Sequence, residues 1–167
     1  MTSFPQQLVD LLPRLRRFAR ALTRSDADAD DLAQAAIERA LVHGASWQPG
    51  TRLDSWLFRI AQNLWRDELR AHRRRAEPLQ EENLPGEDGR VSLPRQIEVR
   101  DVARAFDELP DEQRVVMALV VLEGMRYEQA AHTLGLPVGT VMSRLARARS
   151  RLAVVVSGES RRLHAAK

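Results

Sequence analysis

Polar residues that suit DNA binding recur on one face of a predicted helix near the C-terminus. Between residues 138 and 155, one narrow arc carries Thr140, Arg144, Arg147 and Arg151, with Ser143 beside it. Arginine presents a planar fork of donors that matches phosphate oxygens and the edge of guanine. With two hydroxyl groups near its leading end, this face is suited to enter the major groove of duplex DNA.

A second basic face is predicted in the N-terminal half of the chain. Its members recur at spacings of 4, 3, 4 and 3 residues, which places them along one side of a helix: Arg59, Asn63, Arg66, Arg70 and Arg73. Arg74 and Arg75 extend the positive charge at the C-terminal end, where the helix dipole favours cations. An asparagine within a basic face suits contacts to phosphates and to base edges.

Three tryptophans, Trp47, Trp56 and Trp65, lie close to this second face in sequence. An aromatic ring beside a basic face can stack on unpaired bases. We predict that Trp56 belongs to the core instead. Trp65 falls on a different arc from the apolar stripe, which leaves both roles open for it.

A GC-rich genome offers an alternative explanation for the arginines. Of the 26 basic residues, 25 are arginine and only Lys167 is lysine. Clustering is what favours an anionic partner: residues 59–75 hold six arginines, and residues 140–152 hold four arginines and no acidic residue. Residues 76–98, between them, hold six acidic residues against two arginines.

The composition argues against several classes of function. The 167 residues include no cysteine, which excludes disulfides, thiolate zinc sites and cysteine nucleophiles. The four histidines are scattered without metal-ligand spacing, and neither a glycine-rich phosphate loop nor a nucleophile elbow is present. We therefore expect no enzymatic activity, no metal and no cofactor. No apolar run approaches the length of a membrane span, so we expect a soluble cytoplasmic protein without membrane insertion.

The hydrophobic periodicity predicts an all-α fold of two small helical domains joined by an acidic linker. The first domain covers residues 1–75, the linker 76–97 and the second domain 98–156, followed by a polar tail at 157–167. The stretch 77–89 marks this linker, because it carries two prolines, two glycines and little apolar periodicity.

Three helices are predicted in the first domain. The first is broken or kinked near Pro13, and the second begins at a cap of Ser25 and Asp26 and ends near Gly44. The third runs from about Asp54 to Arg74, and its inward stripe is predicted to be Trp56, Leu57, Ile60 and Leu64.

The second domain is predicted to contain helices at about 98–108, 110–122, 127–134 and 138–155. The last two resemble a helix-turn-helix, because Gly135 permits the left-handed backbone of a tight turn between them. The stripe predicted to be buried on the last helix is Val138, Val141, Leu145, Ala148 and Leu152. A helical hairpin with a solvated arginine face is the alternative.

The second helix also carries a polar strip formed by Asp31, Gln34 and Glu38, with Ala35 beside it. A strip of this kind is either a solvated face or a surface on which another protein docks. Spacing alone does not decide between them.

Taken together, four stretches resemble the bacterial extracytoplasmic-function (ECF, group IV) RNA polymerase sigma factors of the sigma-70 family. The stretches are Asp28–Gln34, Arg52–Arg70, Leu109–Arg114 and Tyr127–Arg149, and they occur in the family's order. The resemblance extends from about residue 8 to residue 153, across both predicted domains.

This resemblance implies a role for each face. Residues 8–75 would be sigma region 2, which docks on the clamp coiled coil of core RNA polymerase through Asp31, Gln34, Ala35 and Glu38. The same region would melt and bind the −10 element of promoter DNA, with a flipped base held at the loop of residues 46–54. The residues implied for this step are Trp47, Arg52, Arg59, Asn63, Arg66, Asp67, Arg70, Arg73 and Arg74.

Region 4, residues 99–156, would bind the −35 element. The resemblance assigns phosphate contacts to Arg126 and Tyr127, and base or groove contacts to Thr140, Ser143, Arg144, Arg147 and Arg151. It also implies an anti-sigma protein as partner and a role in transcription initiation during stress. Residues 47–58 look most like the general-stress-response group.

Two positions depart from the family pattern, and two other functions stay open. Ala35 stands where a glutamate is common, and Met142 replaces a frequent lysine or arginine of the recognition helix. The main alternative is a stand-alone helix-turn-helix regulator that binds operator DNA without polymerase. A helical adaptor that sequesters another protein is the third possibility, although such a protein would not need the arginines of the recognition helix.

Overall fold

The computed structural model describes residues 2–76 and 99–165. Within these ranges the backbone forms helices joined by turns, and no strand is present. No described helix is both long and apolar enough to cross a membrane. The predicted linker lies outside the described residues except for Ala76, so its boundaries stay a prediction.

The N-terminal unit contains three helices: α1 Phe4–Thr23, α2 Asp26–Val42 and α3 Leu53–Ala76, with a short 3-10 turn at Gly44–Ser46. The backbone N–H of Asp28 donates to Ser25 Oγ over 3.3 Å, so the predicted cap of α2 is confirmed. Of the two alternatives predicted at Pro13, the break is wrong, because α1 runs through it without interruption, and the kink stays a prediction. Burial of Leu8 and Leu15 on either side offsets the hydrogen bond that Pro13 cannot donate.

The core of this unit lies where α3 crosses α1 and α2. The rings of Phe18 on α1 and Phe58 on α3 pack with centroids 4.9 Å apart. The predicted inward stripe of α3 packs against the core: Leu57 is buried, and Trp56, Ile60 and Leu64 are half-buried. Burial extends to a neighbouring arc that the prediction did not include, and the buried apolar residues of α3 are Leu57, Phe58, Ala61 and Trp65. Trp65 is therefore a core residue, because α3 packs on α6 as well as on α1 and α2.

The C-terminal unit consists of α4 Val99–Asp107, α5 Asp111–Met117, a π-helical turn at Ala118–Leu122, α6 Tyr127–Leu134 and α7 Val138–Ala165. Two predicted boundaries shift. Pro110 caps α5 instead of starting it, and α7 continues past the predicted end near residue 155 to Ala165. Gly135 adopts φ 65°, the left-handed conformation that the predicted turn requires.

The guanidinium of Arg114 joins helix ends across the two units. Arg114 of α5 has only 1% of its surface exposed and donates to the carbonyls of Ala21 (2.6 Å) and Leu22 (3.0 Å) in the last turn of α1. It also donates to Leu109 O at 2.8 Å and to Asp111 Oδ1 at 2.7 Å. Burial lowers the pKa of Arg114, and the hydrogen bond to Asp111 opposes that shift. The last carbonyls of a helix have no partner within it, so Arg114 satisfies acceptors that would otherwise be buried unpaired.

Replacing Arg114 with methionine is expected to lower the free energy of unfolding by about 3 kcal/mol. Methionine fills similar space but removes the donor to the carbonyls of Ala21 and Leu22, and leaves Leu109 O with only the longer hydrogen bond from Arg24 Nη2 (3.4 Å). Urea denaturation followed by circular dichroism measures the loss. Arg100→Met, at an exposed position of α4, is the matched control and should be neutral. Equal stability of the Arg114 and Arg100 variants would contradict this role.

Candidate nucleic-acid interface

The first turns of α7 form the recognition face predicted for the helix-turn-helix. On the inner side, the predicted stripe is confirmed: Val141, Leu145 and Ala148 are buried, and Val138 and Leu152 are half-buried. On the outer side, Ser143, Arg147 and Arg151 are exposed, and Thr140 is half-buried. Burial of the stripe fixes which side of α7 faces outward, so these polar residues project together from a rigid support.

Arg144 stands apart from the other arginines of α7. Its side chain is 22% exposed, and its Nη2 lies 3.1 Å from Oε2 of Glu112 on α5. It also lines a cavity of about 330 Å³ together with Arg66, Arg70 and Arg73 of α3. The structure thus brings one residue of the predicted −35 face beside three of the predicted −10 face, with Glu112 and Asp111 in the same wall.

The residues predicted to contact phosphates stand at the start of α6. Arg126 is exposed and Tyr127 is half-buried. The backbone N–H of Arg126 donates to Oε1 of Gln129 over 2.9 Å, which caps the helix. Both residues lie at the helix N-terminus, where the dipole favours a phosphate group.

Most of the basic face of α3 is open to solvent. The exposed residues are Asn63, Arg66, Asp67, Arg70, Arg73 and Arg74. Arg70 and Asp67 form an exposed ion pair of 3.7 Å. Arg59 is different, because it is half-buried and donates to the carbonyls of His132 and of Thr133, the latter over 3.2 Å. These carbonyls belong to the last turn of α6, so a predicted −10 residue is engaged by the other unit.

The loop between α2 and α3 is held by a buried carboxylate. Asp54 is 8% exposed, and it accepts from Arg52 Nη2 (2.6 Å), from Arg14 Nη1 (3.1 Å) and from the N–H of Ser55 (2.8 Å). Burial acts to raise the pKa of Asp54, but the hydrogen bonds from Arg52 and Ser55 and the charges of Arg52 and Arg14 outweigh it and hold that pKa below its ordinary value. The pKa of Arg52 is raised above its ordinary value, chiefly by the hydrogen bond that Arg52 donates to Asp54.

Two indole rings sit at the same loop. Trp47 is half-buried and stacks on Phe4 of α1 with ring centroids 5.6 Å apart, and Trp56 lies 6.2 Å from the same ring. Both line a pocket of about 480 Å³ with Arg52 and Arg59. The opposite wall belongs to α6 and consists of Glu128, Gln129 and His132. The pocket is therefore shared by the two units.

The polar strip of α2 lies on a separate surface. Asp31, Gln34, Ala35 and Glu38 are all exposed, and Nε2 of Gln34 donates to Oε1 of Glu38 over 2.9 Å. On the inner side of α2 the buried residues are Ala29, Leu32, Ala33, Ala36 and Ala40. The strip is thus a solvated face in the free chain, presented by a helix whose other side is fixed by close packing.

Sequence reasoning missed the residues that join the units. Arg114 reaches α1 across 92 and 93 positions, and Glu123 accepts from Arg14 and Arg17 across 109 and 106 positions. No local periodicity signals such pairs. Arg114 does belong to the stretch Leu109–Arg114 that resembles the family. That resemblance does not indicate which groups Arg114 contacts.

Known proteins match both units. The family model described as the Sigma2 domain of PhyR matches residues 8–62, and the model of sigma-70 region 4 matches residues 100–152. The ECF RNA polymerase sigma factor EcfG of Rhodopseudomonas palustris (strain TIE-1) is 37% identical over 157 residues, which cover 92% of this chain and 85% of EcfG.

Two solved structures resemble the whole fold. The sigma factor RpoE in complex with the anti-sigma factor NepR, from Bartonella quintana, superposes with a TM-score of 0.77 at 30% identity, covering 94% of this chain and 98% of that one. CnrH in complex with the cytosolic domain of CnrY superposes with a TM-score of 0.66 at 26% identity, covering 92% of this chain and 86% of that one. Each superposition spans both helical units.

Replacing Asp54 with asparagine is expected to lower the free energy of unfolding near pH 7 by about 2 kcal/mol, as for other hydrogen bonds to charged groups. Because the pKa of Asp54 is lowered in the folded state, its contribution is present above the unfolded value of about 3.9 and is lost as pH falls through the folded value. The stability gap between wild type and variant should therefore close in acid.

Urea denaturation at a series of pH values from 7 to 3 measures this gap. The control is Asp10→Asn, which removes an exposed carboxylate of α1. Its free energy of unfolding should differ little from that of wild type, and that difference should not close in acid as it does for Asp54→Asn. A gap for Asp54→Asn that stays constant down to pH 3 would contradict the proposed charge balance.

Proposed function

The chain belongs to the ECF RNA polymerase sigma factors, and from this membership we propose that it binds core RNA polymerase and directs it to promoters with a specific pair of −35 and −10 elements. Sigma factors are initiation factors and not enzymes, so each face acts by binding. The N-terminal unit corresponds to region 2 and the C-terminal unit to region 4.

The observation that carries this proposal is the outward face of α7. Ser143, Arg147 and Arg151 are exposed above a buried stripe, within the residues that match sigma-70 region 4. In a helix-turn-helix, the second helix enters the major groove and its N-terminal residues reach the base edges. We therefore assign −35 binding to this face, with Arg126 and Tyr127 on the flanking phosphates.

For the −10 element, the supporting features are the basic face of α3 and the loop that precedes it. Asn63, Arg66 and Arg70 are exposed polar residues of the kind that suits contacts along a single DNA strand, and the two indoles beside the pocket suit stacking on bases. Moving a base out of the duplex costs a few kcal/mol of stacking and pairing energy. Contacts with the base inside a preformed pocket would offset that cost. We propose that the loop of residues 46–54 receives that base.

Docking on the polymerase clamp is assigned to the exposed strip of α2. Asp31 and Glu38 give this surface a negative charge, while the departure at Ala35 removes one contact common in the family. Because the alanines of the inner face hold α2 closely against α1, the strip is a rigid surface. A preformed surface loses little conformational entropy on binding.

We further propose control by a small anti-sigma protein during a general stress response. The support is twofold: residues 8–62 match the Sigma2 domain of PhyR, and the sigma factor RpoE that superposes on the whole fold was crystallised with the anti-sigma factor NepR.

Run-off transcription with core polymerase over a genomic promoter library tests the function itself. We expect transcripts that depend on the added chain and that share one pair of −35 and −10 sequences. Core polymerase alone is the control. Tight, sequence-specific binding of duplex DNA by the free chain, without such transcripts, would favour a stand-alone regulator instead.

Arg147→Ala should weaken −35-dependent transcription about tenfold or more while leaving association with core polymerase unchanged. Loss of one arginine contact to a base or phosphate costs about 1–3 kcal/mol, and the side chain is exposed, so the fold should persist. The matched control is Arg149→Ala, which removes the same charge from a neighbouring arc of α7.

Asp31→Arg should weaken binding to core polymerase and leave binding to the −35 element unchanged, the opposite of the pattern expected for Arg147→Ala. Reversing an exposed charge on a docking surface slows association and increases its sensitivity to salt, so binding to core polymerase should fall. Contacts of α7 with the −35 element should remain. Loss of core binding in Arg147→Ala, or unchanged core binding in Asp31→Arg, would overturn the assignment of the two faces.

A further inference from the structure

The cavity of about 330 Å³ beside α3 contains a buried polar group that no part of the proposed function uses. Its charged wall consists of Arg66, Arg70 and Arg73 on successive turns of α3, together with Arg144 of α7. We name the space lined by these four residues the arginine cavity. Its volume lies within the range of about 300–1,000 Å³ that is typical of small-molecule sites.

The buried polar group is the side-chain amide of Gln62 on α3. Gln62 is 7% exposed and lines the arginine cavity. Within residues 2–76 and 99–165, its side-chain amide makes no hydrogen bond. An amide removed from water is stable only when a partner occupies its donor and its acceptor, so an unpaired one at a cavity indicates a molecule that enters there.

The two carboxylates in the cavity wall do not balance the arginines of α3, because other arginines already bind them. Oε2 of Glu112 lies 3.1 Å from Nη2 of Arg144. Oδ1 of Asp111 lies 2.7 Å from Nη2 of Arg114, outside the cavity wall. The wall therefore keeps an excess of positive charge on the side of α3.

The three arginines of α3 are accordingly available to an anion. Arg70 has an exposed ion pair with Asp67 at 3.7 Å, a weak contact. Arg66 and Arg73 have no ion-pair partner among the residues that the structure describes. Guanidinium groups gathered in a cleft attract anions and bind phosphate through paired N–H donors. The charged wall thus suits a molecule with more than one phosphate group.

An apolar wall completes the cavity and suits a flat ring. Its residues come from both units, and they are Trp65, Leu69, Val115, Leu134 and Leu136. Trp65, Val115 and Leu134 are buried, so they form a firm surface on which a ring can pack. A carboxamide beside such a surface can donate to N7 and accept from N6 of adenine, as glutamine does with adenine in DNA.

The order of these residues along α3 matches the order of groups in a nucleotide. Gln62, Arg66, Arg70 and Arg73 share one face of the helix. At 1.5 Å of rise per residue, Arg66 lies about 6 Å and Arg70 about 12 Å beyond Gln62 along the helix axis. A base at Gln62 would therefore be followed by phosphate groups at the arginines.

We propose that the arginine cavity is a binding site for a free adenine nucleoside diphosphate, with its base at Gln62 and its phosphates on the arginines of α3. A phosphate without a base would leave the amide of Gln62 unpaired, and a base without phosphates would leave the guanidinium groups unmatched. The site needs only the folded chain, so this inference is independent of the proposed function. Arg66, Arg70 and Arg73 are nevertheless shared with the face assigned to the −10 strand.

Isothermal titration calorimetry on the full chain tests the site with ADP, adenosine and inorganic pyrophosphate. We expect one ADP per chain, and at least about tenfold weaker binding of adenosine and of pyrophosphate, because each lacks half of the contacts. Absence of ADP binding overturns the proposal. Pyrophosphate that binds as tightly as ADP also overturns it, because the cavity would then be a basic surface without a place for the base.

Gln62→Leu separates the base from the phosphates, because leucine keeps a similar size and removes the amide. We expect ADP to bind about tenfold more weakly to this variant and pyrophosphate to bind as to wild type. Circular dichroism first confirms native helix content. Unchanged ADP affinity in the folded variant contradicts the role of Gln62.

Arg73→Gln tests the phosphate side at an exposed position, where the fold should persist. ADP and pyrophosphate should both bind about tenfold more weakly. The matched control is Arg75→Gln, which removes the same charge two residues further along α3 and outside the cavity wall, and it should bind both as wild type does. Equal losses in the two variants would mean that general charge attracts the nucleotide, and would overturn the site.

The remaining alternative is that the cavity receives a DNA strand and not a free nucleotide. Fluorescence anisotropy with a labelled single-stranded oligonucleotide distinguishes the two. We expect Gln62→Leu to bind the oligonucleotide as wild type does. If this variant loses as much affinity for the oligonucleotide as for ADP, the cavity belongs to the DNA strand and the nucleotide site is overturned.

Discussion

The guanidinium of Arg114 is the contact on which the arrangement of this protein depends. It occupies carbonyls at the C-terminal end of α1 and, from the same position, the carbonyl of Leu109 before α5. Because these acceptors are buried, the end of one helix and the start of another are fixed relative to each other. The π-helical turn continues α5 and brings Glu123 into contact with Arg14 of α1. The helix-turn-helix of α6 and α7 comes next in the chain.

Much of the fold could be predicted from local sequence, and the failures have a common physical origin. The cap at Ser25, the turn at Gly135 and the stripe of α7 depend on interactions within a few residues, so composition and spacing reveal them. By contrast, continuation of α1 through Pro13 and burial of Trp65 depend on packing against distant helices. Helix packing of that kind overrides local propensity and leaves no period in the sequence.

The same distinction applies to the candidate interface. Periodicity placed the outward residues of α7 and most of the α3 face correctly on solvent-exposed arcs. It could not show that Arg59 and Arg144 differ from their neighbours, because their partners are the carbonyls at the end of α6 and a carboxylate of α5. Arginines at equivalent helical positions thus divide into those exposed to solvent and those bound by other groups of the protein.

Arginine is the only basic residue on both candidate nucleic-acid faces, which limits how their charge can be changed. A guanidinium keeps its proton throughout the physiological pH range, and lysine acetylation has no target on α3 or on the outward face of α7. Neither a shift in cellular pH nor an acetyltransferase can neutralise these surfaces. Their activity has to be controlled by geometry, through whatever covers the cations or moves the two helices apart.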